Sequence, residues 1–277
     1  MEWEKAKTYI LIFFVILNVG LGSLMLIENR RYTLTAEQER HIRTVLNQNN
    51  ISMYTLMHRF PPMRHLDVTG FYYDTDEIIS MLFETPDATQ RQGDNYIFED
   101  DINRLTISNG FIFFESPQGF RNSNEINPRQ VAAGFIRENF PDYVLDSEFV
   151  EPEGGVRLIF REMYRGHLVH SNQVEFYITD GGIVQIEMQF GRILGHSGEL
   201  RMLASPDEAL LTFVQRVRHF TQDTPMTIVG MDLVYFQEYL SDQEGGVYHA
   251  VPFYRVFTRC SGDRPYLINA FFNVIID

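Results

Sequence analysis

From Tyr9 to Ile27 the chain reads YILIFFVILNVGLGSLMLI, nineteen positions without a charge. A helix of that length spans roughly 28 Å at 1.5 Å per residue, which matches the hydrocarbon core of a bilayer. No polar face interrupts it, unlike an amphipathic helix lying on a soluble core. The run is longer than a signal peptide's apolar stretch. It also continues through Leu24, Met25, Leu26 and Ile27, beyond the small residues Gly20, Gly22 and Ser23 that faintly suggest a cleavage site. A retained anchor is therefore expected rather than a cleaved leader.

Beyond the anchor, polar capping residues mark where helices begin. Thr35 with Gln38, Asp74 with Glu77, Asn127 with Gln130 and Ser205 with Glu208 each set a cap three positions before an acid or amide, and Pro128 and Pro206 take the first helical position. Helices are expected over 35–49, 75–84, 128–139 and 206–220. In the last, Leu210, Phe213, Val214, Val217 and Phe220 form the apolar stripe. Between helices the period falls to two: Val156, Leu158 and Phe160; Val174, Phe176 and Ile178; Val184, Ile186, Met188 and Phe190. That alternation predicts half-buried antiparallel strands. Asp180-Gly181-Gly182 reads as a tight hairpin between two of them, since glycine accepts the positive φ such turns need.

A weak repeat follows from this order. A capped helix (128–139, then 206–220) precedes a strand, then Glu153-Gly154-Gly155-Val156 or Glu244-Gly245-Gly246-Val247, then further strands. Segment 34–115 reads as a diverged third copy, with strands near 51–60, 66–73, 96–107 and 110–115. Ser116 to Asn127, rich in Ser, Asn, Gly and Pro, is the expected boundary between lobes. The expected class is α+β: a tail over 1–8, a transmembrane helix over 9–27, and two lobes of antiparallel sheet with packed helices over 28–120 and 121–277.

Composition sharpens this outline. Residues 28–277 carry 21 arginines, no lysine and 35 acidic side chains, which account for the whole formal charge of −14. A surface of that sign repels nucleic acid and anionic headgroups. Cys260 is the single cysteine, so no intramolecular disulfide is possible, and it is expected in a strand end or turn before Ser261 and Gly262. Lys5 and Lys7 before the anchor balance Arg30 and Arg31 after it. Only eight residues precede the run whereas 250 follow, and a first apolar segment with a short basic flank inserts with its N-terminus in the cytoplasm. The expected location is the cell membrane, single-pass, with the bulk of the chain outside.

Catalytic signatures are missing from the sequence: it has no P-loop, GxSxG elbow, HExxH helix or CxxC pair. His167 and His170, three apart in strand sequence, point to opposite faces, and His196 with Glu199 sits in a Gly-rich stretch read as a loop. Glu99, Asp100 and Asp101 read as a solvated turn, and Asp74 as a helix cap rather than half of an acid pair with Asp76. The aromatics Phe111, Phe113, Phe114, Phe253, Tyr254, Phe257, Phe271 and Phe272 are expected chiefly in cores. No catalytic residue, cofactor or metal ligand is expected. The candidate partner-binding residues lie in the anchor: Asn18 at mid-membrane with Gly20 and Gly22, because amides and small residues favour interhelical hydrogen bonds and close approach in lipid.

The opening Met1-Glu2-Trp3-Glu4-Lys5-Ala6-Lys7-Thr8, leading straight into the Phe-rich anchor with its mid-span Asn, resembles the YycI proteins of Gram-positive bacteria. The segment FREMYRGHLVHSNQVEFYITDGGIVQIEMQF resembles that family's middle region, with a hydrophobic strand, a Gly turn, an Asn before the next strand and a Gly hairpin. The resemblance implies a non-enzymatic regulator with a mixed α+β extracytoplasmic part. Such proteins act, with the related YycH, on the sensor histidine kinase of an essential two-component system controlling cell-wall metabolism, partly through membrane-helix contacts. The implied partners are that kinase and a YycH-like protein, with an unknown extracytoplasmic ligand also conceivable. The lack of lysine after residue 7 departs from the family's composition. Two other classes compete: an anchored binding module for peptide or wall fragments, with an aromatic groove between lobes, and an anchored enzyme with a deep polar pocket.

Overall fold

Each body helix starts at the residue expected to cap it. In the structure, a computed structural model, α2 (Ala36–Gln48) begins at Thr35, whose hydroxyl accepts from the Gln38 N–H while the Gln38 side chain accepts from the Thr35 N–H. Asp74 accepts from the N–H groups of Asp76 and Glu77 at the start of α3 (Thr75–Leu82), and Asn127 accepts from the Arg129 N–H ahead of α4 (Pro128–Asn139). At α5 (Pro206–Thr221) the Glu208 carboxylate accepts from the Ser205 N–H. These bonds satisfy amides that a helix's first turn leaves without partners. The described residues are Trp3, Lys7, 10–21 and 34–276, apart from 56, 72–73, 84–87, 93–94, 109–110, 121–126, 152–153, 190, 222–223, 238–245 and 260–263.

Residues 10–21 are helical (α1) and every one is exposed. Among the described residues no helix is long and apolar enough to cross a membrane. The rest of the expected anchor, including Gly22, lies outside the described residues, as do Cys260 and the first two residues, Glu244 and Gly245, of the second Glu-Gly-Gly-Val segment.

The strands confirm a repeat and shift its frame. After α3 come β3 (Ala88–Gln92), β4 (Asn95–Glu99), β5 (Arg104–Ser108) and β6 (Phe111–Phe120), each antiparallel to the next. After α4 come β7 (Tyr143–Val150), β8 (Val156–Tyr164), β9 (His167–Thr179) and β10 (Gly182–Gln189), paired in the same way. After α5 come β12 (Met226–Phe236), β13 (Val247–Thr258), β14 (Tyr266–Asn269) and β15 (Val274–Ile276), again a four-stranded meander. The first unit thus opens at α3, not at the helix after Thr35. Helix α2, β1 (Ile51–Met53), β2 (Met63–Phe71) and β11 (Gly191–Arg201) are additions to the third unit: β1 pairs with β12, β2 with β13 and β11 with β2.

Among the described residues, fifteen strands join one sheet, whose main path runs β11-β2-β13-β12-β9-β10-β6-β5-β4-β3. Antiparallel pairing dominates, but β1 with β12 and β9 with β12 are parallel, so the sheet is mixed rather than purely antiparallel. Two hydrophobic cores form on it. One gathers Ile78 and Leu82 of α3, Phe135 and Ile136 of α4, and inward residues such as Phe114, Phe160 and Phe176. The other gathers Ile42 and Leu46 of α2, Leu210, Phe213 and Val217 of α5, and residues such as Leu66, Tyr235 and Tyr254. Strand β9 contributes Val169 to the second core and Val174 and Phe176 to the first.

Three local expectations change. The strand read over 96–107 is two strands joined by a turn, in which the Asp100 carboxylate accepts from the N–H groups of Ile102 and Asn103. Positions 184, 186 and 188 do not share one face, because a bulge between Ile183 and Gln185 turns Ile183 inward and leaves Val184 half-buried. Phe220 is 70% exposed and Thr221 takes its place in the apolar stripe. At 3.6 residues per turn, Thr221 lies about 20° from Leu210 and Phe220 about 80° away. The hairpin stands as expected, with Gly182 paired to Thr179 and held at a φ of 111°.

Candidate functional site

Asn18 and Gly20 both lie on α1. The Asn18 amide turns back along its own helix, Nδ2 donating to the Phe14 carbonyl at 2.8 Å, so in this conformation the donor is satisfied internally. A Cβ at Gly20 would meet nothing within 4 Å. Two positions apart on a helix is about 200° of rotation, so the two residues face different sides rather than one shared stripe. Near the tail, Lys7 Nζ sits 5.4 Å from the centre of the Trp3 ring, a cation–π pair one helical turn apart.

A second group was not singled out by sequence reading. It lies where β9 passes from one core to the other. There the β8–β9 ladder slips its register between Arg161 and Glu162, and Asn172 occupies the irregular stretch. Asn172 is buried. Its side chain donates to Glu162 and to the Gly191 carbonyl, and accepts from the Gly191 N–H, pinning the start of β11 to β9. Beside it, Asp146 of β7 accepts from both terminal nitrogens of Arg255 of β13 at 2.7 and 2.8 Å and from Arg161 Nε of β8 at 2.8 Å. Arg255 completes its fork with both oxygens of Asp232 on β12 at 2.8 and 2.6 Å. The side chains of Arg255, Asp146 and Arg161 are 2%, 5% and 7% exposed.

Burial alone would raise the Asp146 carboxyl, but the hydrogen bonds and charge of Arg255, joined by those of Arg161, outweigh it and hold the group at about 2. Arg255 is raised above the ordinary guanidinium value, the hydrogen bonds it donates to Asp232 and Asp146, with their charges, overcoming burial. His170 is held well below the usual histidine range, first by burial and then by the charges of Arg161 and Arg255, so its ring is neutral at neutral pH. Its Nδ1 is shut from solvent and has no hydrogen-bond partner among the described residues. Its ring packs on Phe236 at 5.2 Å, and Phe236 packs on Phe253 at 5.1 Å.

A cleft of about 990 Å³ opens over this junction. One wall is the outward side of β8 and β9, with Arg157, Ile159, Arg161 and Glu175; facing it are α5, with Arg216 and Phe220, and the segment from Arg264 through β14. Among the described residues, four arginines and one carboxylate line it. Arg157 pairs with Glu151 at 2.9 Å and Glu175 at 3.4 Å.

The other residues of interest disperse. His167 packs its ring on Tyr235 and Phe60, while His170 lines the cleft. His196 and Glu199 lie in β11, not in a loop, and His196 Nε2 is 3.1 Å from the Tyr235 hydroxyl, which also donates to the Arg64 carbonyl. Burial first, then Tyr164, pushes the Tyr235 hydroxyl up to about 12. A cluster the sequence did not suggest forms across β2, β11 and β13, where Asp67 contacts Ser197 and His249, and His65 stacks beside His249. Among the described residues no group of three acidic, His or Cys side chains could hold a metal ion.

No family model and no curated protein matches the chain. Among solved structures, an uncharacterized protein from Eubacterium rectale is similar over 82% of this chain and 91% of its own, with 9% identity and a TM-score of 0.53. The C-terminal domain of Bacillus megaterium YpeB aligns with 75% of this chain and 97% of its own at 12% identity and a TM-score of 0.42. YycH from Bacillus subtilis aligns with 76% of this chain and 56% of its own at 14% identity and a TM-score of 0.47. The likeness to the first is one of fold alone, and the two lower scores establish no shared fold.

Proposed function

We propose that this chain is a membrane-anchored, non-catalytic accessory regulator of a sensor histidine kinase, with its N-terminus in the cytoplasm and its folded body outside. The observation that carries the reading is the state of α1. Ile10, Leu11, Phe13, Phe14, Ile16 and Val19 are 55–66% exposed, and no described residue of the helix belongs to either core. Lipid stabilises such a helix, whereas in water it would present an aggregation-prone apolar surface. Asn18 and Gly20 then supply a polar contact and a close-approach point on different sides, suited to two neighbouring helices. The resemblance of the opening segment to YycI proteins supplies the kinase and a YycH-like protein as those neighbours.

Replacing residues 9–27 by an unrelated spanning helix tests the mechanism, with the phosphorylated response regulator as the readout. Regulation disappears if helix contacts carry it. Unchanged output with the replacement helix overturns the membrane-contact mechanism and shifts the contact to the outer body.

A further inference from the structure

We propose that the folded body rests on the bilayer surface by the end at which α2 and α5 begin, with Met202 and Phe272 entering the lipid interface beside Leu200. The proposal deepens the anchored reading above and rests on it, since the helix over 9–27 is what brings a lipid surface within reach.

That the two helices begin at one end follows from the strands they accompany. Strand β1 is parallel to β12, and α2 folds back along β1, Arg43 donating to the Met53 carbonyl at 2.9 Å. Strand β14 also runs parallel to β12, because both are antiparallel to β13. Helix α5 runs against β14: Ala204, just before the helix, donates to the carbonyl of Ala270, just past the strand, whereas Phe213 further along packs on Tyr266 at the strand's start. Both helices belong to one core and run against the same strand direction, so their first turns share an end. Neighbouring helices pack about 8–10 Å apart. From Ile27, the expected end of the anchor, to Leu34 the chain reaches at most about 25 Å when fully extended. The headgroup layer occupies about 5–7 Å of that reach.

The surface at this end is built to present apolar side chains. In the turn after β14, the Asn269 side chain accepts from the N–H groups of Phe271 and Phe272. Asn273 donates through Nδ2 to the Glu208 carbonyl, and its own carbonyl accepts from the Thr212 hydroxyl, which ties the turn to α5. The Tyr254 hydroxyl fixes the facing segment by donating to the Ala204 carbonyl at 2.7 Å. On this tied framework Leu200, Met202 and Phe272 are 60%, 76% and 65% exposed. Side chains held outward in advance lose little freedom when they are buried. Between them the Arg201 guanidinium lies 5.8 Å from the centre of the Phe271 ring, an arrangement in which the stem covers apolar surface while the charge stays at headgroup level.

Charge decides the kind of contact. Glu37 and Glu39 stand in the first turn of α2, and Asp207 and Glu208 in that of α5. These acids offer no attraction to anionic headgroups, so the contact is apolar insertion that does not require charged lipid.

The test places a single tryptophan in the full-length chain, reconstituted in phosphatidylcholine nanodiscs with acyl chains brominated near the headgroup. In a Trp3→Phe background, Met202→Trp and Phe272→Trp report the contact, Phe14→Trp reports the anchor, and Val150→Trp reports an exposed position on β7. Emission at 202 and 272 is expected to be blue-shifted, quenched by the brominated lipid, shielded from aqueous iodide and unchanged in high salt, with the reverse pattern at 150. Lipid quenching at 14 with iodide quenching alone at 202 and 272 would overturn the surface contact and leave the anchor standing. Absence of lipid quenching at 14 would overturn the anchor and this proposal with it. Lipid quenching at 150 equal to that at 202, loss of the lipid quenching in high salt, or shielding from iodide without lipid quenching, as a protein partner would give, each overturns the assignment as well.

Discussion

Asp146 shows how one side chain holds two parts of a fold together. It receives three charge-assisted hydrogen bonds from arginines of two different strands, and the two arginines have few other acceptors. Removing it leaves buried guanidinium charge without its main partner. Asp146→Ala is therefore expected to destabilise the protein by about 3–5 kcal/mol in urea denaturation. The carboxyl also sets an acid limit. Its folded value of about 2 lies below the ordinary value near 3.8, so its stabilisation is complete above pH 4 and lost as pH falls from there to about 2. A shift of that size corresponds to about 2 kcal/mol, read as the loss of unfolding free energy across that window. Asp146→Asn should remove this acid limb while leaving other carboxylates to titrate. Gly191 makes a separate case, since a Cβ there would sit 2.4 Å from the Thr69 carbonyl oxygen. Backbone cannot yield as a flexible side chain can, so Gly191→Ala should cost about 1–3 kcal/mol, measured by thermal unfolding. Gly181→Ala, whose Cβ would meet only Thr179 at 3.6 Å, should change stability little.

At the scale of elements, the helices were legible because their signals are local. Thr35 and Gln38 satisfy each other's backbone amides across three residues, and nothing distant is needed to see it. Thr35→Ala should accordingly reduce stability by about 0.5–2 kcal/mol, with loss of helical signal at 222 nm confined to early melting. Strands were legible as far as alternation held. The bulge at Val184 and the irregular stretch at Asn172 broke the pattern because each depends on a partner strand the sequence does not name. His196 and Glu199 looked like loop residues among glycines, yet β2 supplies a ladder that makes 191–201 a strand. The repeat was visible in its second and third copies, while its first copy was framed on the wrong helix, since α2 and α3 carry equally clear caps. The junction of Asp146, Arg161, Asp232 and Arg255 left no sequence signal: its members are spread over 109 residues and meet only through the parallel contact of β9 with β12.

The whole molecule combines two features that neither core explains alone. An exposed helix, apolar except for Asn18, stands outside the packing, and a mixed sheet of three meanders folds into two cores that meet at a charged crossing under an open cleft. In the proposed reading the helix addresses neighbours in a bilayer, and that role can be tested apart from the folded body. The central claim is the partnership with a kinase through the anchor. Its most direct measurement is a pull-down of the full-length, detergent-solubilised protein from its native membrane, beside a variant with Asn18→Leu, Gly20→Leu and Gly22→Leu. Recovery of a histidine kinase and a YycH-like protein with the unaltered anchor alone is the predicted result; recovery of neither with either version would contradict the assignment.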